Sequence, residues 1–336
     1  MIKNFVYNAV NGVTSDMDNR KTGKKGRILI FLVLIVFIGA LMFISYNTLK
    51  NKKSENTNNI SRPDKVADTK KIPDKQPVVK APEKAIEEVK PQASLDNAEI
   101  DTLKAQLEEM CKNNGEWSIY VKDLKSGEHL SINNKKMVAA SVIKLFIMAK
   151  TYQEINSGGI EKTNEVSVLL RQMITISHNE ASNKLVKILG DGSHKSGMVV
   201  VNKFAISINC MNTEQQREMK DRPIPVPGEN YTSPEDCARL LEKIYNKQCV
   251  SQELDKEMMN LMLAQQRNTK IPALIPKNTK IAHKTGELPQ TENDVGIVFG
   301  PKTDYIICVM SNELKNSDEA RKRISQISKV VYDFFE

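Results

Sequence analysis

Three short clusters in this 336-residue sequence combine residue types that can do acyl chemistry. The first is Ser141-Val142-Ile143-Lys144, at the start of an apolar run from Val138 to Tyr152 that is predicted as a helix. Residues three apart share a helix face, so Lys144 is expected beside Ser141. An amine whose pKa is lowered by burial and neighbours can take a hydroxyl proton and leave a nucleophilic oxygen. The helix N-terminus would add free N–H groups for a developing oxyanion. Ser141 is the only serine in the chain followed three residues later by lysine. The competing reading is a surface serine next to a solvated lysine. Ala139-Ala140 before the cluster and Leu145-Phe146-Ile147 after it favour a buried helix instead.

The second cluster is Ser177-His178-Asn179. Ser-x-Asn is a weak pattern, and it recurs at Ser45, Ser54, Ser131 and Ser207. At Ser177 it follows the apolar Met173-Ile174-Thr175-Ile176 and precedes a helical Glu180-Ala181-Ser182-Asn183-Lys184-Leu185. A hydroxyl and an amide held there could relay a proton and grip a substrate amide. The third cluster is Lys284-Thr285-Gly286, after a strand-like run from Thr279 to His283. Its bland reading is a turn. Its functional reading has Gly286 permitting close backbone approach while Lys284 and Thr285 bind a carboxylate. The copy at Lys21-Thr22-Gly23 lies in the N-terminal tail and is taken as chance.

The elements that must position these clusters begin near residue 97. Leu103, Leu107 and Met110 form a helical stripe. Trp117 to Leu124 alternates as a strand, Lys125-Ser126-Gly127 turns, and Glu128 to Ile132 returns. Helical segments fill 139–265, one of them starting at Ser233-Pro234-Glu235-Asp236 with Ser as N-cap and Pro in the first turn. Strands follow at Val295–Phe299 and Tyr305–Met310, then an amphipathic helix from Asp318 to Phe334. The two ends of this domain are expected to share one sheet, with a helical insert between them. Met258, Met259 and Met262 read as a core stripe, and Lys315, Arg321, Lys322 and Arg323 as a solvated helix face. No internal repeat is present.

In order, the clusters form the signature S-x-x-K, S-x-N, K-T-G, which resembles that of the penicillin-recognising serine hydrolases and, in detail, the class A β-lactamases. Ser177 to Asn183 resembles their S-D-N segment. Pro227-Gly228-Glu229-Asn230-Tyr231-Thr232-Ser233-Pro234 is similar to the exit of their omega loop. Ile281 to Gly286, with Asn293 to Val298, is similar to their K-T-G strand and its neighbour. The resemblance spans roughly residues 100 to 336. It implies an α/β sandwich of the β-lactamase/transpeptidase type: an antiparallel sheet flanked by helices, plus an all-helical lobe. It further implies that Ser141 is the acylated nucleophile, Lys144 its base and Ser177 a proton shuttle. Asn179 would hold the substrate side chain, and Lys284 and Thr285 the substrate carboxylate beside Gly286. The N–H groups of Ser141 and Glu287 would form the oxyanion hole.

Three departures from that family separate the functions. His178 stands where Asp is usual, which predicts altered local hydrogen bonding. Ser141 and Ser177 are only 36 residues apart, which predicts a trimmed helical lobe. The omega-loop motif E-P-E-L-N is missing; Glu218 lies in about the right stretch without the following Pro or the Asn. In the family that Glu activates the water that releases the acyl-enzyme, so its absence predicts slow release. A β-lactamase, a D-Ala-D-Ala-type peptidase or penicillin-binding protein, and a non-catalytic wall-binding or sensor domain are the three readings. The intact Ser-Lys pair opposes the last, and the missing Glu opposes the first. The reading adopted is a β-lactamase-like serine hydrolase, acting through an acyl-enzyme on a β-lactam or a related peptidoglycan peptide.

The rest of the chain sets the location. Ile28 to Tyr46 is 19 residues without a charge, long enough to cross a bilayer as a helix. It lacks the short apolar stretch and small-x-small site of a cleavable signal peptide, so it reads as a single-pass anchor. Residues 1–27 are then a cytoplasmic tail, following the positive-inside rule. Residues 47–96, with no aromatic residue and five prolines, form a disordered tether, and 97–336 form the exterior hydrolase domain of a bacterial cell envelope. The net charge of +8 is concentrated before residue 97; residues 97–336 carry 32 Lys/Arg against 31 Asp/Glu, which argues against a nucleic-acid partner. Cys111, Cys210, Cys237, Cys249 and Cys308 are odd in number, without metal-ligand spacing, and leave disulfide pairing open. The histidines form no zinc set either. The domain is expected to work as a monomer without metal or cofactor.

Overall fold

The computed structural model describes residues 97–220 and 228–336, all within one compact unit. The tail, the anchor predicted over 28–46 and the tether lie outside the described residues. Among those described, no helix is long and apolar enough to cross a membrane.

Alternation of apolar residues builds a five-stranded antiparallel sheet. Its strands are β1 (Glu116–Asp123), β2 (His129–Ile132), β5 (Lys280–Leu288), β6 (Thr291–Phe299) and β7 (Asp304–Asn312), in the order β2-β1-β7-β6-β5. Along β7, Tyr305, Ile307 and Val309 face one core while Ile306, Cys308 and Met310 face the other, as the two-residue strand period requires. The first core is closed by α1 (Asn97–Met110) and α8 (Ser317–Phe335). The second is closed by the helices inserted between β2 and β5: α2 (Lys144–Ser157), α3 (Asn164–Thr175), α4 (Asn179–Leu189), α5 (His194–Ser207), α6 (Pro234–Tyr245) and α7 (Gln252–Leu263). A small ladder pairs β3 (Met137–Val138) with β4 (Tyr231–Thr232) beside the Ser141 segment. The α/β sandwich with a helical lobe is therefore present, with both ends of the domain in one sheet.

The α6 start at Ser233 behaves as the sequence implies: its hydroxyl accepts from the Asp236 N–H, with Pro234 in the first turn. Met258 and Met262 are fully buried, with Met259 packed partly against them. Two expectations change. The helix predicted over Val138–Tyr152 is split, with Val138 in β3, a 3-10 turn at Ala140–Ile143, and the α-helix starting only at Lys144. Ala140, at φ +47°, is the cause, because a left-handed residue cannot continue a right-handed helix. Lys284-Thr285-Gly286 lies inside β5, as its likeness to a K-T-G strand implies. The basic cluster on α8 is not simply solvated. Arg321 reaches the buried Glu292 at 2.7 Å, and Arg323 donates to the carbonyls of Lys112 and Asn113 while lying over the Trp117 ring. All five cysteines are free thiols. Burial pushes Cys111, Cys237 and Cys249 up to about 12, which keeps them in the unreactive thiol form.

Candidate active site

Ser141 sits in the 3-10 turn that enters α2, and that turn is held from two sides. Behind it, the Ala139 N–H donates to the Asn230 carbonyl at 2.8 Å. From the sheet, Asn293 Nδ2 on β6 donates to the carbonyls of Val138 and Ala139, while Asn293 Oδ1 accepts from the Ser311 N–H. The left-handed Ala140 is thus over-determined by its neighbours, as strained residues at functional sites must be. On β5, Gly286 completes the fit. A Cβ there would stand 2.8 Å from the Ala139 carbonyl oxygen and 3.1 Å from Val142. Only glycine lets β5, an edge strand, press this closely on the turn that carries Ser141.

The Ser177 hydroxyl is the hub of the site. Ser177 is itself left-handed, at φ +61°, and buried. Its position follows from His178, whose Nδ1 accepts from the Ala181 N–H and caps α4. The histidine in place of the usual Asp therefore fills the capping role. Lys284 Nζ donates to Ser177 Oγ at 2.9 Å and to the Thr285 carbonyl at 2.7 Å. Lys144 Nζ approaches Ser177 Oγ at 3.3 Å, and donates to the Ser177 carbonyl at 2.7 Å and to Asn179 Oδ1 at 2.6 Å. Both lysines are fully buried. Burial, and then the charge of Lys144, hold Lys284 well below the ordinary lysine value. Lys144, Ser177, Asn179 and Lys284 thus meet in one place, with Gly286 packed against the turn that carries Ser141. Thr285 and Glu287 stand on the opposite face of β5, since side chains alternate along a strand. Thr285 Oγ1 is buried without a hydrogen-bond partner among the described residues.

The segment where a deacylating carboxylate would be sought is tied down at 213–220. Asn183 clamps Met219 through both its N–H and its carbonyl, and Asn179 Nδ2 donates to the Lys220 carbonyl. Asn230 Oδ1 accepts from the N–H groups of Gln216 and Arg217. Among the described residues of this segment the carboxylates are Glu214 and Glu218. Glu214 pairs with Lys136 at 2.7 Å, and Glu218 pairs with His194 at 3.3 Å. Glu218 thus contacts the start of α5.

Sequence reasoning assigned no role to Asn293, Asn230, Asn183 or Lys270. Two signals were legible: Asn293-Asp294 interrupts an apolar strand, and Asn183 falls on the apolar side of α4. Asp294 accepts from the Ile271 N–H and contacts His283 Nδ1 at 2.9 Å, so His283 anchors β5 to the preceding turn. Lys270 carries no sequence signal; it is fully buried and contacts Glu292 and Glu287.

Fold and hub together define a serine hydrolase of the β-lactamase and penicillin-binding type. The family model described as the β-lactamase enzyme family matches residues 102–168 and 161–335, and the chain belongs to that family. The β-lactamase VEB-1 of Pseudomonas aeruginosa is 23% identical over 282 residues, covering 71% of this chain and 92% of that protein. Among solved structures, a β-lactamase from Sphaerobacter thermophilus superposes with a TM-score of 0.61 at 22% identity, covering 70% of this chain and 97% of its own. A mutant of PBP-A, solved as an acyl-enzyme complex with penicillin G, gives a TM-score of 0.64 at 25% identity over 70% and 97% of the two chains.

Proposed function

We propose that this serine hydrolase is acylated at Ser141 by β-lactams and by D-Ala-D-Ala-type wall peptides, and that it releases the acyl group slowly. The observation that carries the reading is the Ser177 hydroxyl, held by two buried lysines beside the Ser141 turn. In the acylation step, Ser141 Oγ bonds to the substrate carbonyl carbon while its proton passes to the Lys144 amine acting as base. The carbon–nitrogen bond then breaks. Ser177 gives its proton to the leaving nitrogen and takes one back from Lys144, so the hub ends as it began. The solved PBP-A complex supports this direction, since that protein holds penicillin G as an acyl-enzyme. Slow release is supported by the missing E-P-E-L-N motif and by Glu218, the candidate deacylating carboxylate, lying against His194 at 3.3 Å. The apolar run 28–46 supports an anchored protein with its hydrolase domain outside the cell membrane.

Intact-mass spectrometry of the full chain in detergent, with benzylpenicillin over time, tests the reading. A lasting adduct in the wild type that is absent from Ser141→Ala is expected. Rapid conversion of the drug without an adduct would replace slow release by β-lactamase turnover. Unchanged drug and no adduct would refute acylation at Ser141.

A further inference from the structure

We propose that Lys270 is a positioning residue for acylation: it holds the Gly286 carbonyl from inside the sheet and so aims the Glu287 N–H at the oxyanion formed beside Ser141; this rests on the acyl-enzyme reading above. A few contacts fix which way the β5 peptides point. Lys284 Nζ, which reaches Ser177 Oγ, also donates to the Thr285 carbonyl at 2.7 Å. That carbonyl therefore faces out of the β5 edge, toward the hub. Successive carbonyls of a strand point to opposite sides, so the Gly286 carbonyl faces inward to β6. There Gly286 has Asn293 as its register partner, and Lys270 Nζ donates to both carbonyls, at 3.3 and 3.1 Å. The neighbouring Glu292 carbonyl accepts from Ser311 Oγ on β7, which leaves the Asn293 carbonyl to face β5. The Gly286–Glu287 peptide is trans. Its N–H therefore points opposite to its carbonyl, out of the edge and toward the hub. A Cβ on Gly286 would meet Ala139, Ala140 and Val142, the residues around Ser141, so the Glu287 N–H emerges beside that turn.

The rest of the network holds Lys270 in that place. Its side chain is fully buried, and Nζ lies 2.7 Å from Glu292 Oε2 and 3.2 Å from Glu287 Oε1. Arg321 Nη2, from α8, takes the other Glu292 oxygen at 2.7 Å, so the main anchor of Nζ is itself fixed. Pairing Glu292 does not require burial, since Arg321 does so while one-third exposed. What burial gives Lys270 is access to the two carbonyls of the β5–β6 rung. That rung also carries the Asn293 side chain, which donates to the Val138 and Ala139 carbonyls of the Ser141 turn. One nitrogen thus fixes both the strand that bears the N–H donor and the strand that straps the turn. A further donor on a carbonyl also polarises its peptide and strengthens the N–H at the other end. Removing an oxyanion donor outright slows acyl transfer about a hundred- to thousandfold. Losing its aim and polarisation alone is expected to cost about ten- to hundredfold.

The test follows acylation of the full chain in detergent by benzylpenicillin. Intact mass against drug concentration separates the dissociation constant from the rate constant at saturation. The infrared carbonyl band of the acyl-enzyme, made with isotope-labelled drug, is the second readout, since a well-aimed donor lowers its frequency. Lys270→Met is expected to lower the saturating rate constant about ten- to hundredfold at an unchanged dissociation constant, and to raise the band frequency. Arg321→Gln breaks the same network from its exposed side; it is expected to lower stability in urea and to keep the wild-type rate and band. If the single variant does not fold, Lys270→Met with Glu292→Gln removes the buried pair as a unit and carries the same expectation. Wild-type rate and band in a folded Lys270 variant overturn the proposal. So does an equal loss in Arg321→Gln, which would assign the effect to general packing. Absence of any adduct in folded wild type instead refutes acylation at Ser141, and the proposal falls with that reading.

Discussion

Replacing Asn293 by Ala probes how the sheet holds the nucleophile. The Asn293 side chain is fully buried and makes three hydrogen bonds: to the Val138 carbonyl at 2.9 Å, to the Ala139 carbonyl at 3.2 Å, and from the Ser311 N–H at 3.0 Å. Alanine removes all three and leaves a buried N–H and at least one buried carbonyl without a partner. Each orphaned group costs about 1–3 kcal/mol, so the substitution is expected to lower unfolding stability by about 3–5 kcal/mol. That is a large share of the roughly 5–15 kcal/mol that holds a typical domain together. The loss also reaches the chemistry, because the strained Ala140 and Ser141 lose their strap to the sheet. Displacing the nucleophile by about 1 Å is expected to slow acylation about a hundredfold. Urea unfolding gives the first quantity and intact-mass kinetics with benzylpenicillin the second. Asn114→Ala is the control. Asn114 bonds the backbone of Lys315 and Asn316 at the start of α8, on the far core from the Ser141 turn, so its loss is expected to reduce stability and leave acylation unchanged. A cost below about 1 kcal/mol for Asn293→Ala, or equal acylation by both variants, would refute the strapping argument.

The remaining predictions address the strand, the buried lysine and the anchor. Gly286→Ala sets a Cβ 2.8 Å from a backbone oxygen, so β5 must move off the turn; acylation is expected to fall about a hundredfold while urea unfolding shows a loss of about 1–3 kcal/mol. Lys284→Met is expected to abolish acylation yet raise Tm by about 2–8 °C near neutral pH, because it removes a buried charge set beside Lys144. The sign follows from the folded pKa lying below 10.5. Between the folded value and 10.5 the unfolded chain binds more protons, so wild-type stability rises with pH and the variant's advantage shrinks. An advantage independent of pH, in Tm measured from neutral to pH 10.5, would assign the gain to packing instead. Finally, deleting residues 28–46 is expected to move the protein from the membrane pellet to the soluble fraction, and pelleting of the deleted form would count against the anchor.

Much of this protein is local enough to be written in its sequence. Strand alternation at Trp117–Leu124 and 305–310, the Ser233 N-cap, the amphipathic final helix and the three candidate clusters all depend on residues close together in the chain. The mutual order of those clusters was enough to reach the family. Tertiary structure decided the rest, because it depends on partners far apart in sequence. The helix predicted through Ser141 breaks at Ala140, since Asn293 and Asn230, more than 80 positions away, supply the bonds that hold a left-handed residue there. Glu218 has a plausible address in sequence, but its carboxylate turns to His194. Arg321 has the pattern of a solvated face, but it lies over a carboxylate buried by another strand. Lys270 looks like any surface lysine, and only the fold around Glu287 and Glu292 makes it a buried charge. Spacing along the chain specifies which side chains a helix or strand brings onto one face. Which charges share a low-dielectric interior is fixed only when the β5 edge, the nucleophile turn and the 213–220 segment close on one another.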